Sequence, residues 1–254
     1  MRVDALHRRL MTDVKQLHDA IARIFPVELP AAYENRAVNL QAFLNRLNTR
    51  TAAFGIFNRI KHDAEQEKGT VVNSAWWYDK SVLPVFGSSA DVHILWHVHP
   101  DAHRVTWGKA GWKRRRFYYW QFIMHELIHR YQDVLRKKYH GPKANALQYA
   151  ATSRAHQERE VQVYLGDYDE VETYAFMTAL EIFSWWPFMT VNEACVCAHQ
   201  YTGRYVTPTF NYYTVCFDKH APAVKTFKRK IRAWLSLMKE HHATYEMLRL
   251  PQLI

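Results

Sequence analysis

Five consecutive residues combine side chains that could bind a metal ion with one that could move a proton: they run His125-Glu126-Leu127-Ile128-His129. Residues four apart lie on one face of a helix, so the imidazoles of His125 and His129 can point at the same ion. Zinc accepts neutral imidazole nitrogens at about 2.0–2.1 Å. Glu126 is turned about 100° around the helix from His125, where its carboxylate can take a proton from a water that the metal activates. This HELIH motif therefore predicts a Zn2+ site for hydrolysis, with Glu126 as the general base.

A catalytic zinc site usually has three protein ligands, so the third must lie further along the chain. The metzincin spacing requires glycine at 132 and histidine at 135, and this sequence has Gln132 and Leu135, which excludes that arrangement. The preferred candidate is Glu172, because the small Ala175 three residues later would let its predicted helix pack closely on the motif helix. Glu170 points well away from Glu172 on the same helix and is expected to be exposed.

Three further residues stay open as the third ligand. His140 lies beyond the end of the motif and is followed by Gly141 and Pro142, which are expected to end the helix. Glu158 and Glu160 are the remaining carboxylate candidates.

The segments HELIHRYQ and DEVETYAF resemble the gluzincin peptidases, in which a glutamate on a later helix completes the zinc site. The E-x-E-x-x-A arrangement, with a tyrosine upstream, is similar to that of lethal-factor-like zincins and of metallopeptidases encoded in bacteriophage genomes. The resemblance covers about residues 117–183. It implies a zincin-like fold and a zinc metallopeptidase with His125, His129 and Glu172 as ligands. One departure is Phe176, which stands where many gluzincins have an aspartate four residues after the ligand.

The motif together with His140 and Gly141 also resembles the SprT-like proteases, which act on DNA-bound proteins. In that family a histidine followed by glycine completes the site, although the aromatic residue usual soon afterwards is absent here, where residues 143–146 are Lys-Ala-Asn-Ala. A third hypothesis is a basic nucleic-acid-binding protein that keeps a zincin scaffold without catalysis.

Neighbouring polar residues have predicted supporting roles. The hydroxyl of Tyr164 or Tyr168, which precede Glu172, could stabilise the oxyanion that forms at the scissile carbonyl. Asp133, four residues after His129, could accept a hydrogen bond from that imidazole and so orient it.

The 254-residue chain has a net charge of +10 and a pI near 9.5, an excess that can attract nucleic acid or an acidic protein. Cations near the N-terminus of a helix interact unfavourably with the helix dipole. Helix stability therefore does not explain the basic run Lys113–Arg116 before the motif. A second basic patch near the C-terminus contains Lys225, Lys228, Arg229, Lys230 and Arg232. The expected partners are a protein or peptide substrate and, through these patches, a nucleic acid or an acidic partner.

The number of cysteines and the length of the apolar runs indicate the cellular compartment of the protein. Three cysteines cannot all pair within the chain, and the absence of a dense disulfide framework is typical of reducing compartments. No apolar run is long enough for a signal peptide or a membrane span. The sequence predicts a soluble cytoplasmic protein with no membrane partner, and the resemblance places it in the cytoplasm of a phage-infected bacterium.

The periodicity of apolar residues predicts an α+β fold in a single domain, residues 1–254. Residues 1–67 are expected to be helical, with a break near Gly55, and a small sheet over 70–108 precedes the motif helix. Residues 113–184 are predicted to hold the zinc-site helices, which include one at 143–160. A basic helix follows over 221–248.

Residues 91–99 alternate between apolar and polar, as expected for a half-buried strand, and residues 103–107 are expected to pair back on it as a hairpin. The polar face carries His93, His97 and His99, which we interpret as an exposed edge rather than a second metal site. Zincins of this type add the substrate peptide to a sheet edge, so residues 91–99 are the predicted edge.

Overall fold

The structure is a computed structural model that describes residues 3–66, 71–78, 91–102, 104–139, 161–200, 208–246 and 248. The chain divides into two compact units, Arg9–Arg130 and Tyr131–Gln252, the second joined by Met1–Arg8. Helices predominate and a small sheet accompanies them, in agreement with the predicted α+β class. The zincin-like fold and the single domain over 1–254 stay predictions.

The Arg9–Arg130 unit contains all the strands of the described residues, and its first and last helices each extend across a boundary. In chain order its elements are α1 (Val3–Ala22), β1 (Ala37–Asn39), α2 (Leu40–Thr51), a 3-10 turn (Ala52–Phe54), β2 (Ile56–His62), β3 (Val72–Tyr78), β4 (Asp91–Val98), β5 (Arg104–Thr106) and α3 (Lys109–Tyr139).

The main sheet has the strand order β2-β4-β3, with β2 parallel and β3 antiparallel to β4. The prediction that residues 91–99 form the edge is therefore wrong, because β4 is paired along both sides. The expected hairpin at 103–107 is also wrong, since β5 pairs with β1 in a separate two-stranded sheet.

Strand β2 lies where the sequence predicted helix. Gly55 adopts a φ of 69°, a left-handed conformation that ends the preceding 3-10 turn and redirects the chain. Beyond it, Ile56 and Asn58 point to the buried side while Phe57 and Arg59 are more exposed, which is the two-residue period of a strand. The break expected near Gly55 is thus a change from helix to sheet.

The predicted alternation in β4 is confirmed. Val92, Ile94, Trp96 and Val98 have no exposed surface, whereas His93 on the opposite face is only partly buried. The ring of His93 stacks on that of Phe57, with their centroids 5.8 Å apart.

An aromatic cluster anchors the first turn of α3. Trp112 lies edge-on to Phe25, with the ring centroids 4.5 Å apart, and contacts Trp107 at 5.1 Å. Phe43 of α2 contacts Trp96 of β4 at 5.9 Å and Trp107 at 5.2 Å. The Trp112 indole also donates a hydrogen bond of 2.9 Å to the carbonyl of Pro26. These contacts fix the N-terminal end of the helix that carries the HELIH motif.

A buried polar connection joins α2, β2 and β4 through Asn58. Its side-chain oxygen accepts a hydrogen bond from Trp96 Nε1 at 3.1 Å. Its amide nitrogens, on the backbone and side chain, both donate to Asn48 Oδ1 at 2.7 and 3.0 Å. Because Asn58 is only 3% exposed, water cannot replace these partners.

We expect Asn58→Ala to lower the free energy of unfolding by about 2 kcal/mol, because it leaves the buried Trp96 indole without its acceptor. Urea unfolding would measure the change. The matched control is Asn45→Ala on the exposed face of α2, where the hydrogen bond with Gln41 is exposed and the expected change is below about 0.5 kcal/mol. Equal effects of the two substitutions would contradict the assignment of Asn58 as a buried connection.

In the Tyr131–Gln252 unit, the described secondary-structure elements beyond α3 are all helices. The elements are helical residues 161–166 (α4), α5 (Tyr168–Trp185), α6 (Val191–Gln200), α7 (Pro208–Cys216), α8 (Pro222–Glu240) and α9 (His242–Glu246).

Helix α5 is the central element of this unit. It is buried on nearly every side and packs mainly on α8, whose apolar stripe includes Phe227, Ile231 and Trp234. Among the described residues, none of the helices combines the length and the apolar character that crossing a membrane requires.

Candidate metal centre

The HELIH motif lies on a part of α3 that is almost fully buried. Met124, Leu127 and Ile128 are at most 1% exposed. The two polar residues His125 and Glu126 are only 7% and 6% exposed. Burying an imidazole and a carboxylate side by side is costly unless each has a polar partner or a metal ion, so this stretch is organised for more than packing.

The two imidazoles converge as the spacing predicts. Nε2 of His125 and Nε2 of His129 are 3.1 Å apart, with the rings inclined at 77°. Two ligands of a tetrahedral zinc ion with bonds of about 2.05 Å are separated by roughly 3.3 Å. The spacing therefore fits two imidazole ligands of one ion.

The carboxylate that accompanies this pair belongs to Glu170. One ligand atom from each of His125, His129 and Glu170 lies within 4.8 Å of the others, so the group could hold a metal ion. Glu170 is half-buried, and the expectation that it is exposed is wrong. Next to it, the carbonyl of Asp169 accepts a hydrogen bond of 3.1 Å from Gln132, one turn beyond the motif.

Glu172, the predicted third ligand, is turned to a different environment. It has no exposed surface, and its two oxygens accept hydrogen bonds from Lys230 Nζ and, at 2.7 Å, from Trp234 Nε1 of α8. Among the described residues, the group that could hold a metal ion therefore contains Glu170 and not Glu172, and the identity of the third ligand stays a prediction.

Helix geometry explains why only one of the two glutamates can belong to this group. Residues two apart on a helix are about 200° apart around the axis, so Glu170 and Glu172 cannot serve the same site. One feature of the sequence could have distinguished the environments of Glu170 and Glu172. Lys230 interrupts the apolar stripe of α8, three residues after Phe227 and four before Trp234. A lysine in that position needs a buried carboxylate as its partner, and Glu172 is that carboxylate.

The Lys230 ammonium group is stabilised in its charged form. Burial opposes its charge, but the hydrogen bond and the negative charge of Glu172, with a smaller contribution from Tyr168, outweigh that effect and raise the pKa of Lys230. Lys230 is only 7% exposed. Its predicted membership of an exposed basic patch is therefore wrong.

The two predicted tyrosines occupy different places. Tyr164 forms side-chain hydrogen bonds with Tyr174 and Glu170, and burial, followed by the proximity of these two groups, raises the pKa of its hydroxyl. Tyr168 is 45% exposed, and Lys230 Nζ lies 5.2 Å from its ring centroid. Tyr164 thus contacts the proposed carboxylate ligand, whereas Tyr168 contacts the Lys230–Glu172 pair. Their predicted catalytic roles stay predictions.

The basic run before the motif is partly structural. Arg116 is 2% exposed, and its Nε donates to the carbonyl of Phe25 at 3.1 Å. Burial lowers the pKa of Arg116 to about 10, so the side chain stays charged at neutral pH. Lys113 Nζ pairs with Glu28 at 2.8 Å. The four cations therefore do not form one exposed surface.

Several predicted residues lie outside the described part of the chain. These are His140, Glu158 and Glu160, the helix predicted at 143–160, and the side chain of Asp133. His97 and His99 are paired with Asp63 and Asp101 at 3.7 and 3.6 Å, and neither belongs to a three-residue metal-binding group of the described residues.

Comparison with known proteins gives no family assignment: no family model, no curated protein and no solved structure matches the chain.

Measurements of zinc binding should distinguish the role of Glu170 from that of Glu172. We expect about one zinc per chain by equilibrium dialysis, and an affinity at least about 100-fold lower in Glu170→Ala and His125→Ala. Glu172→Gln, measured on folded protein as judged by circular dichroism, should stay within about threefold of the unmodified chain. Loss of zinc in Glu172→Gln, with retention in Glu170→Ala, would reverse the assignment.

The buried pair should dominate the stability of the helical unit. We expect Lys230→Met to lower the free energy of unfolding by about 3–5 kcal/mol, because it leaves the Glu172 carboxylate buried without a cation. The double variant Glu172→Leu/Lys230→Met should recover most of that loss. Lys225→Met, on the exposed side of α8, is the matched control with an expected change below about 0.5 kcal/mol. A single variant no worse than this control in urea unfolding would count against the buried pair.

Proposed function

We propose that the chain is a zinc-dependent metallopeptidase with a gluzincin-like ligand set of His125, His129 and Glu170. The observation that supports this most strongly is the convergence of the three side chains to within 4.8 Å of one another. Two imidazoles and one carboxylate are the donor set of several catalytic zinc sites, which keep a fourth position open. The predicted set contained the same residue types, with Glu172 in place of Glu170.

Zinc bound there would supply a Lewis acid that lowers the pKa of water and polarises the scissile carbonyl. Glu126 has the adjacent place on α3 and would act as the general base. Its carboxylate accepts a proton from the attacking water and then delivers that proton to the leaving amine. Because Glu126 is only 6% exposed, bulk water competes little for its oxygens.

Tyr164 would act as a positioning residue through its hydrogen bond to the Glu170 carboxylate. A carboxylate ligand that is itself hydrogen-bonded keeps a fixed orientation, as is usual for the groups around metal ligands. This role gives a reason for the hydroxyl to be buried, and the predicted contact of Tyr164 with the oxyanion stays a prediction.

The two alternative functions predict different outcomes. In an SprT-like protease His140 would be the third ligand, and His140→Ala would release zinc while Glu170→Ala would not. In a non-catalytic scaffold, Glu126 would have no task, and nucleic-acid binding would survive chelation. The side chains at 125, 129 and 170 could supply three ligands, which favours the peptidase with a carboxylate ligand.

We expect Glu126→Gln to lower peptide hydrolysis by about 10²–10⁴-fold while zinc stays bound, because an amide cannot accept the proton. The assay offers a peptide library and detects new termini by mass spectrometry. Glu240→Gln, which alters an exposed carboxylate, is the matched control and should be fully active. Activity that persists in Glu126→Gln, or no cleavage by the zinc-loaded unmodified chain, would refute the proposal.

A further inference from the structure

A cavity of about 380 Å³ lies within the helical unit, lined by residues of α5, α6, α7 and α8. Small-molecule sites usually measure about 300–1,000 Å³, and a cavity of about 150 Å³ already admits benzene. All the lining residues belong to the Tyr131–Gln252 unit, and none of them belongs to the proposed metal centre.

The inner wall of the cavity is apolar. Ile182 of α5, Ala198 of α6 and Ile231 of α8 line it and are 2%, 5% and 3% exposed. Such surface favours a hydrocarbon or aromatic body, because burying it removes apolar area from water on both sides. Val196, which also lines the cavity, is 55% exposed, so the apolar wall extends to the surface.

The outer wall is cationic. Lys228 and Arg232 line the cavity one turn apart on α8, and both are exposed. Arg232 Nη1 donates to Asn192 Oδ1 at 2.7 Å, which orients a guanidinium group that carries five N–H donors. Lys228 Nζ lies 5.9 Å from the ring centre of Phe210.

None of the lining residues within the described part of the chain carries a carboxylate. The positive charge of Lys228 and Arg232 on this wall favours an anionic group on the ligand.

We propose that this cavity binds a small amphipathic carboxylate, with its apolar body against Ile182, Ala198 and Ile231 and its carboxylate at Lys228 and Arg232. Guanidinium and ammonium groups both form charge-assisted hydrogen bonds with a carboxylate. The partly open wall at Val196 gives the ligand a route of entry. The site does not depend on the proposed metal or on catalysis.

Cys195 offers a reporter for occupancy because its side chain lines the cavity. Burial raises the pKa of its thiol, although Arg232 and Lys239 act in the opposite direction. Cys197 is an internal control. Its Sγ lies 3.7 Å from Met189 Sδ, and the residue does not line the cavity. A ligand in the cavity should slow alkylation of Cys195 and leave Cys197 unchanged.

The experiment titrates the full chain with octanoate, using octanol as the neutral probe of the same length. Octanoate should slow alkylation of Cys195 by iodoacetamide at least about fivefold at saturation, as read from labelled peptides by mass spectrometry. Calorimetry should give an affinity for octanoate about tenfold above that for octanol. Equal affinities, or equal protection of both cysteines, would overturn the proposal.

Three variants test the position of the ligand. Lys228→Gln/Arg232→Gln should weaken octanoate binding about tenfold and leave octanol unchanged. Lys225→Gln/Arg229→Gln removes the same charge from exposed positions of α8 that do not line the cavity, and should have less than about a twofold effect. Ala198→Phe should abolish binding of both probes by filling the cavity. Unaltered octanoate binding in the first or last variant would overturn the proposal.

Discussion

Burial of α3 constrains the rest of the structure. Most of its apolar residues from Trp112 to Ile128 are at most 3% exposed, so each buried polar side chain on the same stretch must have a partner inside the protein. Arg116 meets this demand through the carbonyl of Phe25, and Gln132 through that of Asp169. The Nε2 atoms of His125 and His129 are 3.1 Å apart, and these two residues and Glu170 form a group that could hold a metal ion.

The need of buried polar groups for partners also explains some of the basic residues in the sequence. Arg116 and Lys230 were predicted to belong to surfaces for a polyanion, but both are buried and hold helices in place through a carbonyl and a carboxylate. Of the cations that remain exposed on α8, Lys228 and Arg232 border the cavity. The net positive charge of a sequence therefore includes both buried cations with a structural role and cations on the surface. The two kinds can be distinguished only when the positions of the helices are known.

Features set by local periodicity could be predicted from the sequence. The spacing of His125 and His129 and the alternation in β4 are properties of a single element, and both agree with the structure. The grouping of Glu170 with the two histidines could not be derived in this way, because it joins residues that lie far apart in the sequence. The partners of β4 and β5 were missed for a similar reason, since strand order depends on long-range pairing.

The contact between Glu172 and α8 has a consequence for dissecting the protein. A fragment that ended after α5 would retain every proposed ligand and the proposed base, yet it would remove Lys230 and Trp234, the two donors to the buried carboxylate. Glu172 would then be a buried charge without a cation, which would destabilise the helix that carries Glu170. The smallest autonomous unit must therefore extend more than sixty residues beyond Glu170, the last proposed site residue, so that it includes Trp234 of α8.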